Sequence, residues 1–273
     1  MQGFFFERNT MVDNFKMGMS DSHFHIMEMK RREMDIELLF RTLKDAGAGI
    51  LLDAGVQLDD FSERIFWADH YEQLYFAAGI HPNIPKNSWP DNFIEILKEQ
   101  INHPLVKAIG ETGLDLFREY SPLPDQKALL NTHYEISQET EKPLIFHIRN
   151  AEDEMIHWIL ERDFKTPAVL HCFPGNKRLA EVALEKGFYI SYAGNVTFKN
   201  ASDIRDSLKI VPLDRILVET DAPYLAPHPK RGRDNHPGLI AYTYECIALE
   251  KNIDVDDLIP RVDKNLKAFL KLS

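Results

Sequence analysis

Asp21-Ser22-His23-Phe24-His25 is the stretch on which the reading of this chain turns. An extended backbone sends successive side chains to opposite faces, so His23 and His25 point the same way and aim two imidazoles at one place. Neutral imidazole is the commonest metal ligand. The same pair is also what a strand end with two half-buried histidines looks like, so its meaning depends on what other strands deliver beside it.

Outward from this first strand, placed at 19–25, short apolar runs recur at 49–54, 74–80, 106–110, 144–148, 168–172, 188–192 and 216–219. Between them lie segments of helical period at 34–46, 61–72, 93–101, 126–140, 154–162, 177–186 and 202–208. Such alternation builds parallel βα units, and eight of them predict an α/β protein with a closed (β/α)8 TIM barrel. Residues 238–273 carry two more helical patterns, expected as extra C-terminal helices outside the barrel. An open doubly wound sheet is the alternative, but it usually has fewer strands and a Gly-rich phosphate turn that this chain lacks. Residues 1–18 show neither period, and Met11, Met17 and Met19 are possible alternative starts. This extension is expected to lie outside the fold, with 19–273 as a single domain, since no repeat or Gly/Ser-rich linker interrupts it.

Composition narrows the function. A length of 273 residues suits one barrel. No apolar run approaches the roughly 20 residues of a membrane span. Phe4-Phe5-Phe6 is followed by Glu7 and Arg8 with no small-residue cleavage site, so a cytoplasmic protein without a signal peptide is expected. Only Cys172 and Cys246 are present, without Cys-x-x-Cys spacing, which excludes a disulfide framework and a thiolate zinc knuckle. A metal site must then use nitrogen and oxygen. The net charge of −11 disfavours tight non-specific binding to duplex nucleic acid. It leaves a nucleic-acid substrate open, because bound cations can make a positive pocket inside an acidic protein.

Several apolar strands end in ligand-type residues: His23 and His25 after the first, Glu111 after the fourth, His147 after the fifth, His171 after the sixth and Asp221 after the eighth. In a barrel these ends converge on the C-terminal mouth, where barrel enzymes place their chemistry. Burying four histidines and two acids there without a cation would be costly. Six ligands exceed what one catalytic zinc takes, and a carboxylate can bridge two ions. The expectation is therefore two divalent ions, one held by His23, His25, Asp221 and Glu111, the other by His147, His171 and Glu111. This donor set suits Zn²⁺, Mn²⁺, Co²⁺ or Ni²⁺, and Mg²⁺ in a weaker, wetter site. Asp221 is the candidate general base and Glu111 the candidate bridge, a constellation for metal-assisted hydrolysis.

The run at 21–25, with Gly79-Ile80-His81-Pro82, Gly110-Glu111-Thr112-Gly113-Leu114-Asp115, His147-Ile148-Arg149-Asn150-Ala151, His171-Cys172-Phe173-Pro174-Gly175 and Glu219-Thr220-Asp221-Ala222-Pro223-Tyr224-Leu225, resembles the ordered signatures of the TatD family of metal-dependent deoxyribonucleases, within the amidohydrolase-like barrels. The resemblance runs from about residue 19 to the C-terminus. It implies a divalent-metal hydrolase acting on DNA phosphodiesters as an exonuclease, with DNA, single-stranded rather than duplex, as substrate; the oligomeric state, a monomer included, stays open. It also implies the ligand set already drawn from the strand ends. Departures from the family pattern are Met27 where an acidic residue is usual, Asp234 and His236 within Arg231-Gly232-Arg233-Asp234-Asn235-His236-Pro237, and His133 where Gln is common. These bear on substrate and remove no ligand.

Among the remaining candidates, Arg149 lies two residues after His147 and faces the same way, toward a substrate phosphate. Its alternative is a rim salt bridge. His81 is placed to donate to a phosphate or leaving oxygen, and Arg231 and Arg233 to guide a polyanion, although basic loops are often merely solvated. Asp21 and Glu219, two residues before ligands, are read as orienting imidazoles or as ordinary buried hydrogen-bonding groups. Tyr224 and Phe173 either stack on a base or pack. His70, His103, His133 and His157 read as structural or surface residues, and Cys172 as a core thiol facing away from the site. Two rival functions remain at this point: a hydrolase of other ester or amide bonds, such as an aminoacyl-RNA ester, and a non-catalytic metal-binding protein.

Overall fold

A computed structural model describes residues 11–272 other than Glu119. Eight parallel strands follow one another around the sheet in chain order. They are β1 (Asp21–Phe24), β2 (Leu51–Ala54), β3 (Leu74–Ala78), β4 (Val106–Asp115), β5 (Leu144–Arg149), β6 (Ala168–Leu170), β7 (Tyr189–Tyr192) and β8 (Ile216–Val218). Most are apolar runs without alternation, because a parallel strand is covered on both faces. Ile50, Leu52, Ala77, Ala108, Ile145, Val169, Tyr189 and Leu217, one or two from each of β2 to β8 or its edge, fill the interior. The larger apolar cluster packs the outer faces of the strands against the helices.

The barrel closes where the ends of β1 and β8 meet. The Phe24–Ala222 bridge joins them, the His25 N–H donates to Ala222 O at 2.9 Å, and the Asp221 N–H donates to His23 O at 2.9 Å. Asp21 adds a side-chain tie across the seam, accepting from the N–H of Thr220 at 3.0 Å and from its hydroxyl at 2.6 Å.

Ten α-helices among the described residues are α1 (Ile26–Arg31), α2 (Ile36–Asp45), α3 (Phe61–Phe66), α4 (Phe93–Ile101), α5 (Leu123–Thr140), α6 (Glu152–Leu160), α7 (Lys177–Glu185), α8 (Ser202–Leu208), α9 (Ala241–Lys251) and α10 (Val255–Phe269). The α2 helix shows why they form: Ile36, Leu39, Phe40 and Leu43 make one buried stripe, and Asp35 caps the start by accepting from the Leu38 N–H at 2.9 Å. The C-terminal pair follows the last strand as the sequence predicts, but α10 is more than a decoration on the outside. Its Leu266, Phe269 and Leu270 join the interior cluster and plug the barrel floor. Asn265 secures it, donating to the carbonyls of Leu213 and Ile216 at 2.8 Å.

Two sequence expectations need amendment. The fourth strand, placed at 106–110, continues to Asp115, pairing Gly113 with His147 and Asp115 with Arg149. Gly113 permits this close approach, since a Cβ there would lie 2.0 Å from the His147 carbonyl oxygen. The extension placed at 1–18 falls partly outside the described residues, but 11–18 lie against the barrel. Met11, Val12 and Phe15 pack on the core, Asp13 pairs with Lys230 at 2.6 Å, and Lys16 pairs with Asp256 at 2.7 Å.

Candidate metal centre

Alternation along the strands carries the polar residues to the mouth. Ile145 points inward, so His147 and Arg149 do; Val169 is followed at the same parity by His171, and Leu217 by Glu219. The β1 strand ends at Phe24, but His25 keeps extended angles (φ −129°, ψ 101°), so the two histidines still converge. All six expected ligands meet around one carboxylate, Glu111, which is 2% exposed.

The two oxygens of Glu111 face different partners. Oε2 lies 3.2 Å from His23 Nε2 and 3.6 Å from His25 Nε2. These two nitrogens are 3.3 Å apart, and Asp221 Oδ1 is 3.4 Å from His25 Nε2. Oε1 lies 2.6 Å from His147 Nδ1 and 3.0 Å from His171 Nε2, nitrogens that are themselves 3.1 Å apart.

The outer nitrogens of three rings fix what the inner ones present. His25 Nδ1 donates to Ala54 O at 3.0 Å, His147 Nε2 to Asp115 Oδ2 at 3.2 Å, and His171 Nδ1 to Glu219 Oε1 at 3.3 Å. In the neutral imidazole the inward nitrogen is then a lone pair, aimed at a carboxylate oxygen that is also a lone-pair donor. Lone pairs crowded this closely need a cation or a proton between them, and the donor set of imidazole and carboxylate fits divalent metal ions. Glu111 Oε2, buried, finds no hydrogen-bond partner among the described residues, which agrees with that fit. His81, Asp115 and His147 also cluster. There, however, His147 Nε2 carries the hydrogen it gives Asp115, and His81 Nδ1 already accepts from the Asn83 N–H at 3.0 Å, so this group reads as support for the centre.

Titration behaviour reflects the crowding. Burial opposes the ionisation of Glu111, yet His171 and His81, with the hydrogen bonds from His147 and His171, hold it well below the usual carboxylate range. Burial likewise opposes the charge on His25, but Asp221 and Glu111 raise it to about 9. His171 is raised well above the usual imidazole value by Glu111 and Glu219 against its own burial. His23 is depressed, first by burial and then by His171, on which it stacks at 4.0 Å.

Around the centre opens a cleft of about 910 Å³, lined by His25, His81, Glu111, His147, His171, Asp221 and, at its rim, Arg149, Arg231 and Arg233. The Arg149 guanidinium lies over Phe117 at 4.0 Å and that of Arg231 over Phe198 at 4.2 Å. His81 Nε2 points at Glu111 Oε1 from 3.4 Å. Of the two acids read as orienting imidazoles, Glu219 contacts one and also accepts from the Cys172 N–H at 2.7 Å, whereas Asp21 contacts the backbone N–H of His23 at 3.2 Å and no ring. Tyr224 stands at the rim with its hydroxyl donating to Glu28 at 3.1 Å, and Phe173 is buried beside Tyr192.

Sequence reasoning missed some participants. Asp115 holds His147 and is itself fixed by Gln126, whose Oε1 accepts the Asp115 N–H at 2.8 Å. The signal was available: 111, 113 and 115 share a face once the strand runs that far. His133 is buried and fully engaged, with Nδ1 donating to Leu129 O at 2.8 Å and Nε2 accepting the Ile80 N–H at 3.1 Å, so it fixes the chain before His81. Cys172 is not the core thiol facing away. Its left-handed backbone (φ 44°) breaks the alternation after β6 and turns it into the cleft.

Compared with known proteins, residues 20–271 match the family model described as TatD related DNase. An Escherichia coli (strain K12) protein named uncharacterized metal-dependent hydrolase YcfH is 34% identical over 249 residues, covering 89% of this chain and 91% of that protein. The protein named 3'-5' ssDNA/RNA exonuclease TatD from Escherichia fergusonii is 32% identical over 234 residues, covering 84% and 90%. The crystal structure of YJJV, a TatD homologue from Escherichia coli K12, superimposes with a TM-score of 0.82 at 24% identity, covering 94% of this chain and 99% of that one, a likeness of fold. With this match along nearly its whole length and a buried histidine–carboxylate centre at the mouth of its barrel, the chain belongs to the TatD family of metal-dependent hydrolases.

Proposed function

We propose that the protein is a deoxyribonuclease that removes nucleotides from the end of a DNA single strand, using two divalent cations. His23, His25, Asp221 and Glu111 would hold one of them, and His147, His171 and Glu111 the other. The observation that carries this reading is the division of the Glu111 carboxylate between two groups of inward-facing imidazole nitrogens. The name of the Escherichia fergusonii relative supports the choice of bond and substrate.

When bound, a cation pair polarises the scissile phosphate and makes water acidic enough to attack near neutral pH. The chain's own residues do the rest. Asp221 receives the proton of the attacking water on its carboxylate, kept ionised against its burial by His25 and His171. Arg149 offers its guanidinium edge to the phosphate. His81 keeps Nε2–H as a donor toward the scissile phosphate or leaving oxygen, since its Nδ1 is occupied by Asn83. Arg231 and Arg233 draw the polyanion to the cleft. The nitrogen and oxygen donors suit Mn²⁺, Zn²⁺, Co²⁺ or Ni²⁺, and Mg²⁺ if several waters remain. Two unpaired cysteines go with a cytoplasmic setting.

The test is digestion of 5′- and 3′-labelled single strands and duplexes under Mg²⁺, Mn²⁺ and Zn²⁺, with metal analysis of the purified protein. Activity should vanish with chelator and fall at least about 100-fold in Asp221→Asn and His147→Ala. Wild-type rates in either variant would overturn the reading.

A further inference from the structure

The mouth of the barrel is not uniform. Arg149 and Arg231 each lie over an aromatic ring, Phe117 and Phe198, at 4.0 and 4.2 Å. Among the described residues neither makes an ion pair or a side-chain hydrogen bond. A guanidinium stacked on a ring keeps its donor fork turned outward, preorganised for a phosphate. Where α1 faces the loop after β8, another arginine lies over a ring, Arg32 over Tyr224 at 5.1 Å. This one is not free. Asp234 forms an ion pair with it, and the fork also reaches the carbonyl of Pro223 at 3.5 Å. The ring beneath it is tied to Glu28, which pairs in turn with Arg31. Arg32 with Asp234 and Arg31 with Glu28 thus neutralise each other beside α1.

We propose that Asp234 is a specificity-determining residue that withholds the Arg32 fork from a nucleic-acid backbone in the cleft, where Arg149 and Arg231 offer phosphate forks seated on Phe117 and Phe198. The proposal rests on the nuclease reading above and adds what limits the footprint of the strand. Asp234 acts through Arg32 and touches no reacting atom; Phe117 and Phe198 are positioning residues for their arginines.

The experiment is the dependence of kcat/KM on salt, measured with the metal-loaded full chain on a linear single-stranded oligonucleotide, with bis(p-nitrophenyl) phosphate as a substrate too small to reach the rim. Each phosphate contact on a single strand contributes about 0.7 to the slope of log affinity against log salt. Asp234→Asn should steepen the slope by about 0.7 and raise kcat/KM at low salt, and Arg32→Gln added to it should abolish the gain. Phe117→Ala should make the slope shallower and act on KM rather than kcat, while Phe117→Tyr restores it. An unchanged slope in Asp234→Asn, or a gain that survives Arg32→Gln, overturns the proposal while leaving the nuclease reading intact. Failure to hydrolyse either substrate under any of the metals overturns both.

Discussion

The guanidinium of Arg64 meets the carboxylate of Asp53 at 2.6 Å in a setting where both side chains are at most 2% exposed, and the second oxygen of that carboxylate accepts the N–H of Ile26 at 2.8 Å, one residue beyond His25. Arg64 also donates to the carbonyls of Asp53 at 3.0 Å and Ala77 at 2.8 Å, so a single buried pair joins β2, β3 and the start of α1 behind the metal centre. Removing one partner strands the other charge. Arg64→Leu is expected to lower stability by about 3–5 kcal/mol, and a double Arg64→Leu/Asp53→Leu variant to recover part of that loss. Urea unfolding midpoints check this; a loss below about 1 kcal/mol would show that water replaces the guanidinium.

Asp115 and Glu219 fix the hydrogens of His147 and His171, and so the direction of their lone pairs. Asp115→Asn and Glu219→Gln should each weaken divalent-metal affinity by about 10–100-fold, read by competition with a chelating dye. Asp21→Asn is the contrast, because Asp21 bonds only the backbone N–H of His23 and the Thr220 pair across the seam. Its metal affinity should stay within about threefold of wild type.

Chelation should also lower stability, since the ions bind the assembled centre and have no comparable site on the unfolded chain. Free metal at 100 times its dissociation constant contributes about 2.7 kcal/mol, which corresponds to roughly 5–10 °C in Tm for a chain of this size. Differential scanning calorimetry with and without Mn²⁺ measures it. The effect should be lost in Glu111→Gln, whose neutral amide is a poor bridge.

His133 gives an acid sensitivity away from the metals. Burial depresses its pKa to about 4 despite the Leu129 carbonyl, whereas the unfolded chain protonates near 6.5. Between these values the unfolded state binds the extra proton, so stability is full above about pH 6.5 and falls as pH drops toward 4, by about 3 kcal/mol in all. His133→Gln should flatten that part of the stability profile, measured by urea unfolding from pH 7 to 4.

Deleting residues 1–18 should cost on the order of 3 kcal/mol, because Met11, Val12 and Phe15 pack on the core and Asp13 and Lys16 pair with Lys230 and Asp256. Thermal unfolding of the truncated chain checks this; an unchanged Tm would show that these contacts add no stability.

What could be read in advance divides along a physical line. Parity and apolar period follow from backbone geometry, so the barrel and the convergence of His23, Glu111, His147, His171 and Asp221 were legible. Contacts made by residues that leave this pattern were not. Cys172 turns into the cleft through a left-handed backbone, and the stretch at 11–18 packs without any period. Asp115 was hidden by an assumed strand end at 110, which Gly113 allows the chain to pass. Asp21 and Glu219 each stand two residues before a ligand, yet only Glu219 reaches a ring, that of His171, while the shorter Asp21 is taken up by Thr220 across the seam.

The seam between the first and last strands has a consequence for how the molecule comes into being. His23 and His25 are made early in synthesis, but the Asp221 and Ala222 groups that dock against them arrive only after about four-fifths of the chain has been translated. Until then the emerging polypeptide carries an open edge at β1 and a half-built metal site. Closure of the barrel and completion of the His23–His25 side of the centre are therefore one late event, and a chain cut short before Asp221 lacks both.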